Sequence, residues 1–294
     1  MTLLSLAKLI RPHQWVKNFF VALPLFFSGS MLNLWCWKQT LITFFAFSLA
    51  ASSIYCLNDI LDADIDRMHP KKKLRPIACN QVSASFAYGL MGMLTAGSLS
   101  LCLILGKAHA PAVVSMILLY IFLNLAYCIK LKHYAIIDVF IISVGFVLRL
   151  CAGGLACSIW LSPWIVCMTF LIALFLAFAK RRDDVVIRQT TGNITRENTM
   201  RYNLEFMNQT LGLLGAITIV CYIIYTVSPD VETRMGSQYV YITSVFVLAG
   251  ILRYLQVTIV DVRSGSPTKI LLRDRFIQSC VVLWILVFVT IIYL

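Results

Sequence analysis

The fold class predicted by this sequence is an all-α polytopic membrane protein of nine transmembrane helices, and three observations predict it. First, 60% of the 294 residues are hydrophobic and only 13% are charged, against about 45 to 50% apolar in a soluble domain. Second, nine apolar runs reach the roughly 20 residues needed to cross a bilayer. Third, the basic residues fall almost entirely in alternate gaps between those runs. A water-soluble domain, a disordered chain and a collagen-like repeat are excluded.

The runs lie near 14–34, 39–57, 83–105, 110–129, 135–156, 161–179, 209–227, 238–260 and 275–293. The first follows Lys8 and Arg11, carries Lys17 in its first turn, contains Pro24 and lacks a small-residue cleavage site, so it reads as a retained helix and not a signal peptide. The gap after the second run holds five basic residues, the gap after the fourth holds Lys130 and Lys132, and the gap after the sixth holds six. With the last gap and Arg253 near the end of the eighth run, 21 of the 25 Lys and Arg lie on one side. That side is therefore cytoplasmic, with the N-terminus inside and the C-terminus outside. The whole chain, 1–294, reads as one transmembrane domain in the cytoplasmic membrane.

The net charge of +12 is what membrane orientation and anionic headgroups require, so the lipid bilayer and not nucleic acid is the expected partner. The ten Cys are scattered mostly through apolar runs without a C-x-x-C spacing and read as small buried side chains; Cys151 and Cys157 could meet near the outer face, though nothing in the sequence requires it. The four His have no ligand-like spacing.

Acidic residues number 13, and four of them lie in Asn58-Asp59-Ile60-Leu61-Asp62-Ala63-Asp64-Ile65-Asp66, at the cytoplasmic end of the second run. At about 100° per residue, Asp59, Asp62 and Asp66 fall within about 60° of one another on a helix, and Asp64 points elsewhere. Three carboxylates on one face repel unless a hard cation sits among them. Mg²⁺ suits that role, because it takes few protein carboxylates and completes its shell with water and substrate phosphate. The plainer reading is a solvated acidic loop paired with Arg67, Lys71, Lys72, Lys73 and Arg75.

A second cluster, Lys180-Arg181-Arg182-Asp183-Asp184, follows the sixth run on the same side. Cations beside acids suit a metal-bound phosphate ligand, although a basic stop after a membrane helix is commonplace. Arg149 lies inside the fifth run, where a charge costs about 2.5 to 3.5 kcal/mol on insertion scales, so a buried partner is expected. Trp15 beside Arg11 and Lys17 suits an interfacial anchor or a lipid phosphate, and Tyr127 and Lys132 close the fourth run.

The pattern Asn58-Asp59-x-x-Asp62-x-x-x-Asp66 resembles the first aspartate-rich motif of the UbiA superfamily of intramembrane prenyltransferases. Within it, the similarity to decaprenyl-phosphate phosphoribosyltransferases runs almost end to end. It is carried by Arg11-Pro12 through Pro24, His69-Pro70-Lys71, Arg75-Pro76-Ile77-Ala78, Tyr127 through Asp138, Gly145-Phe146-Val147-Leu148-Arg149, Lys180-Arg181, and Gly265-Ser266-Pro267 through Leu271-Leu272-Arg273-Asp274-Arg275. Aromatic-acceptor members carry an acidic second motif. The phosphoribosyl members resemble K-R-x-x-E, which Lys180 to Asp184 follows with Asp in place of Glu.

The resemblance implies a UbiA-like bundle and a Mg²⁺-dependent transfer of 5-phosphoribosyl from phosphoribosyl pyrophosphate to a polyprenyl phosphate. It implies metal binding and catalysis by Asp59, Asp62 and Asp66, with Lys180 and Arg181 offsetting charge on the leaving diphosphate. Asn58, Arg67, Arg75, Asp184, Tyr127, Lys132 and Arg149 are expected to bind substrate, and Arg11 or Lys17 the lipid headgroup. The polar stretches 181–208 and 263–275 are expected to form lids. The rival readings are an aromatic-acceptor prenyltransferase of the same fold, an anionic-metabolite transporter and a non-catalytic lipid-phosphate binding protein.

Overall fold

Long helices follow from the composition: in hydrocarbon every backbone N–H and C=O must be satisfied within its own segment. The computed structural model describes residues 3–68, 72–191, 197–262, 270–271 and 273–293. His69, Pro70, Lys71, Gly265 to Pro267 and Leu272, which carry part of the resemblance, lie outside the described residues, as do parts of both expected lids.

The described elements are helical throughout. They are α1 (Leu3–Ile10), α2 (Leu23–Phe27), α3 (Leu34–Leu61), α4 (Ala63–Met68), α5 (Ala84–Leu103), α6 (Ala110–Ile129), α7 (Ile137–Ala156), α8 (Pro163–Thr191), α9 (Leu204–Thr226), α10 (Pro229–Met235), α11 (Ser244–Ile259) and α12 (Arg275–Tyr293). Seven segments are long and apolar enough to cross a membrane, namely α3, α5, α6, α7, α8, α9 and Gln238–Ile259, and α12 is a somewhat shorter apolar helix.

The chain divides into two compact units, Met1–Lys132 with Val144–Leu161, and His133–Ser143 with Ser162–Leu294. In the first unit α3 is the hub, packing against α1, α5 and α6 around buried Phe47, Ala50, Ile54, Val113 and Ile117. Ser98 of α5 donates to the Ala46 carbonyl at 2.7 Å. In the second unit α8 packs on α9, and α11 on α9 and α12, around Phe175, Phe178, Met207, Leu211 and Tyr254. Buried Arg182 donates to Asn208 Oδ1 at 2.7 Å and to the Thr258 carbonyl at 2.6 Å, so it caps the C-terminal carbonyls of α11 that no helical N–H reaches.

The expected first span differs from expectation. It is not one α-helix over 14–34 but a 3-10 helix Pro12–Ala22, the short α2, and a 3-10 turn Ser30–Leu32. The physical reason lies in its neighbour. Arg11 pairs with Asp59, Trp15 Nε1 donates to Ser52 Oγ at 3.0 Å and Asn18 Nδ2 to Ser48 Oγ at 2.9 Å. Stepping from Asp59 back to Ser48 along α3 covers about 16 Å at 1.5 Å per residue. The seven steps from Arg11 to Asn18 cover about 14 Å in 3-10 winding and only about 10 Å in α winding. The stretched helix keeps three polar pairs in register. At the far end of this segment Gly153 of α7 meets the Val21 carbonyl, 2.0 Å from where a Cβ would stand.

Helix α8 also runs further than expected. It continues to Thr191, so Lys180 to Asp184 lie on a helix and the first part of the expected lid is not a loop. Among the described residues the cysteines are free, and Cys157 approaches Thr40 and the Cys36 carbonyl, each at 3.4 Å, rather than Cys151.

Candidate active site

The acidic motif sits where α3 stops. Helix α3 ends at Leu61, Asp62 occupies a turn with φ −91° and ψ 0°, and α4 resumes at Ala63. The backbone stays linked through Asp66 N–H to the Asp62 carbonyl at 2.8 Å. Asp59 and Asp66 are each 1% exposed, Asp62 is half-buried, and the Asp64 side chain is 90% exposed and paired with Arg67. A solvated acidic loop does not describe Asp59 and Asp66.

Buried carboxylates need compensating charge. Asp59 receives Arg11 and, at 3.1 Å, Arg75. Asp66 receives Arg75 at 2.6 Å and Lys72 at 3.9 Å. Asp62 receives Lys132 at 2.5 Å and the Asn58 amide at 3.0 Å. Arg11 reaches Asp59 from a left-handed backbone conformation, φ 56°, uncommon for a bulky residue, with its guanidinium 5.3 Å from the Tyr55 ring centroid. Arg11, expected at the lipid headgroup, is engaged with Asp59 in the structure. Arg67 donates to the Ala78 carbonyl at 3.2 Å and to Asn80 at 3.3 Å, tying α4 to the loop after it. Tyr127 is half-buried on α6.

Among the described residues no three His, Cys, Asp or Glu gather closely enough to hold a metal ion by themselves. The donor set nevertheless fits one. Asp59 Oδ2 and Asp66 Oδ1 are buried and accept no hydrogen bond, which leaves each with lone pairs for a cation, and Lys72 Nζ stands 3.9 Å from Asp66 Oδ1. Mg²⁺ needs only one or two such oxygens when phosphate supplies others.

The basic motif belongs to the second unit. Arg181 is 1% exposed and donates to Asp138 Oδ2 at 2.6 Å and Asp184 Oδ2 at 3.2 Å, while Asp138 Oδ1 is buried without a hydrogen-bond partner. Lys180 is exposed and Asp184 half-buried. Buried Tyr202 accepts from the Ile136 N–H at 2.5 Å, and burial pushes its phenol pKa up.

Arg149 is 5% exposed in α7, and the buried partners it was expected to need are present. Its partners are neutral: Asn18 Oδ1 at 2.7 Å, the Gly145 carbonyl at 2.6 Å and Tyr120 OH at 3.1 Å. Sequence reasoning assigned no role to Asn18, Tyr120 or Asp138. The available signal was a polar side chain inside an apolar run.

Comparison with known proteins agrees with this architecture. Residues 19–193 match the UbiA prenyltransferase family. The decaprenyl-phosphate phosphoribosyltransferase of Mycolicibacterium smegmatis is 36% identical over 96% of this chain and 90% of its own length. Its namesake in Corynebacterium glutamicum is 31% identical over 99% and 87%. Among solved structures, a UbiA homolog from Archaeoglobus fulgidus bound to GPP and Mg²⁺ superposes with TM-score 0.69 at 18% identity, over 99% of this chain and all of the other. The same homolog bound to Cd²⁺ gives 0.66 at 17% identity, over 99% of this chain and all of the other. At such identity these two likenesses speak for the fold alone.

Proposed function

The chain belongs to the UbiA prenyltransferase family, and on that basis we propose that it transfers 5-phosphoribosyl from phosphoribosyl pyrophosphate to a membrane polyprenyl phosphate, releasing pyrophosphate. The names of the relatives that match over almost the whole chain support this reading. The single observation that carries its chemistry is the buried Asp59 and Asp66 pair, each with one oxygen that accepts no hydrogen bond.

Asp59 and Asp66, with Asp62 beside them, would hold Mg²⁺. When bound, the ion supplies Lewis acidity to the diphosphate leaving group. Arg75 and Lys132 pair with the carboxylates and fix their direction, and Asn58 orients Asp62. The acceptor phosphate is already anionic, so no protein nucleophile or strong base is required. The protein aligns it and excludes water from a carbon passing through an oxocarbenium-like state. Lys180 and Arg181 offset diphosphate charge in this proposal, a role resting on the sequence motif, with Asp184 fixing Arg181. Arg67 would contact the donor.

The wider assignment is a single functional domain of nine spans, the first being the 3-10 segment, in the cytoplasmic membrane. The N-terminus is inside, the C-terminus outside, and the aspartate end faces the cytoplasm. The distribution of Lys and Arg supports this orientation.

The test is incubation of purified protein with labelled phosphoribosyl pyrophosphate, a polyprenyl phosphate and Mg²⁺, following label into the organic phase. Transfer abolished by EDTA is the expected result. No transfer by protein that couples a prenyl diphosphate to an aromatic acceptor would overturn the reading.

A further inference from the structure

Among the described residues, Arg149 and Lys17 of the first unit are cations with no acid to answer them. Arg149 is buried within α7, and its guanidinium has five N–H groups. Three are used, on Asn18, Gly145 and Tyr120, and the remaining two, one on each Nη, meet no acceptor among the described residues. Three aromatic faces surround it, Phe47 at 5.4 Å, Tyr120 at 4.7 Å and Phe146 at 5.4 Å from ring centroid to guanidinium carbon. Lys17 immediately precedes the Asn18 that binds Arg149. It is half-buried and makes no hydrogen bond or ion pair with a described residue. The charges that act on Lys17 are Arg149 and Arg11, both positive, and of these only Arg11 has a carboxylate, Asp59.

Like charges held together away from water are stabilised when an anion completes them. The surroundings select its type. Two free N–H groups of a fixed guanidinium suit a phosphate oxygen pair, and an ammonium adds a point charge.

We propose that Arg149 and Lys17 form an anion subsite for the phosphate monoester of the polyprenyl acceptor. The proposal rests on the phosphoribosyl transfer above for the identity of the acceptor, but binding of a prenyl monophosphate does not depend on turnover. Arg149 and Lys17 are then substrate-binding residues, and Asn18 is a positioning residue that orients Nε of Arg149.

The test uses the full chain in detergent, as wild type, K17Q, R149M and R149K. With polyprenyl phosphate varied at saturating donor, K17Q and R149M are expected to raise the acceptor KM about tenfold or more, equivalent to about 1.4 kcal/mol, while donor KM stays within about twofold. R149K should recover part of the loss. In a separate arm, farnesyl monophosphate should raise the thermal midpoint of wild type, farnesol and inorganic phosphate should not, and K17Q should lose the shift. A rise in donor KM with acceptor KM unchanged would move the phosphate to the donor and overturn the proposal. An equal shift by inorganic phosphate, or none by farnesyl monophosphate, would overturn it as well. If R149M does not fold, K17Q and R149K carry the same comparison. Wild-type protein that binds farnesyl monophosphate through Lys17 and Arg149 yet transfers no phosphoribosyl group would leave the subsite standing and remove the proposed reaction.

Discussion

Asp59 and Asp66, seven residues apart on either side of a helix break, share one guanidinium: Arg75 Nη1 lies 3.1 Å from Asp59 Oδ1 and 2.6 Å from Asp66 Oδ2. The two carboxylates are almost wholly buried, and a divalent ion and a guanidinium are alternative ways of offsetting the same charge. Removing the guanidinium should therefore make the protein lean on the ion. Arg75→Met is expected to destabilise the metal-free protein by about 3 to 5 kcal/mol, the cost of breaking a buried pair. Its thermal midpoint should also respond to added Mg²⁺ more strongly than that of wild type. Equal responses of the two proteins would mean that Arg75 and the metal do not share these carboxylates.

The four aspartates of the motif should separate by position. Asp59→Asn and Asp66→Asn each remove a buried ligand oxygen and are expected to lower kcat by about a hundredfold or more. Asp62→Asn, losing its partner Lys132, should fall with them. Asp64→Asn touches only an exposed pair with Arg67, worth little, and should stay within about twofold of wild type. Initial rates on well-folded proteins decide it, and equal losses at all four positions would contradict a shared carboxylate site.

How much of this was legible in the sequence depends on range. The long apolar helices stand out because hydrocarbon demands continuous apolar runs, and the run at 110–129 coincides with Ala110–Ile129. The aspartate face stands out because Asp59, Asp62 and Asp66 are close in sequence. The 3-10 winding of Pro12–Ala22 was not legible, since its cause is a register of polar pairs with Ser48, Ser52 and Asp59. Nor were the partners of Arg149, as Asn18 is 131 positions away and local periodicity carries no information on pairing at that distance. The end of α8 was misplaced because hydropathy falls at Lys180 while the helix continues to Thr191, where burial of Arg181, Arg182 and Val185 sustains it.

Close approach of backbones tests the first segment. At Gly153 a Cβ would lie 2.0 Å from the Val21 carbonyl oxygen, and backbone cannot swing aside as a side chain can. Gly153→Ala is expected to cost about 3 kcal/mol or more, at or beyond the upper end of overpacking penalties, read as a fall in thermal midpoint. Gly92→Ala, with nothing within 4 Å, should leave the midpoint unchanged or slightly raised, as Ala is the better helix former.

The donor assignment has its own test in the basic motif. Lys180 is exposed on α8, so its replacement should spare folding. Lys180→Ala is expected to raise the KM for phosphoribosyl pyrophosphate about tenfold, with the KM for polyprenyl phosphate little changed. Unchanged donor kinetics would remove Lys180 from the site.

The start of α12 gives a prediction for pH. Asp274 Oδ1 accepts the Ile277 N–H at 3.0 Å, as an N-cap does, while Oδ2 accepts Arg253 Nε at 3.0 Å and Nη2 at 2.8 Å. The hydrogen bond from Arg253, aided by the backbone N–H groups of the helix start, holds the Asp274 carboxyl below its usual 3.8. A depressed carboxylate binds its proton more readily in the unfolded chain than in the folded one, so folding gains stability from it above about pH 4 and loses that gain as pH falls through the lowered value. Asp274→Ala should therefore lower the thermal midpoint at pH 7, by roughly the 1 kcal/mol typical of a lost cap, and the gap from wild type should close as both are taken to pH 3 and below. A gap that persisted unchanged at the lowest pH at which both proteins fold would show that the effect is one of packing and not of the ionised carboxylate.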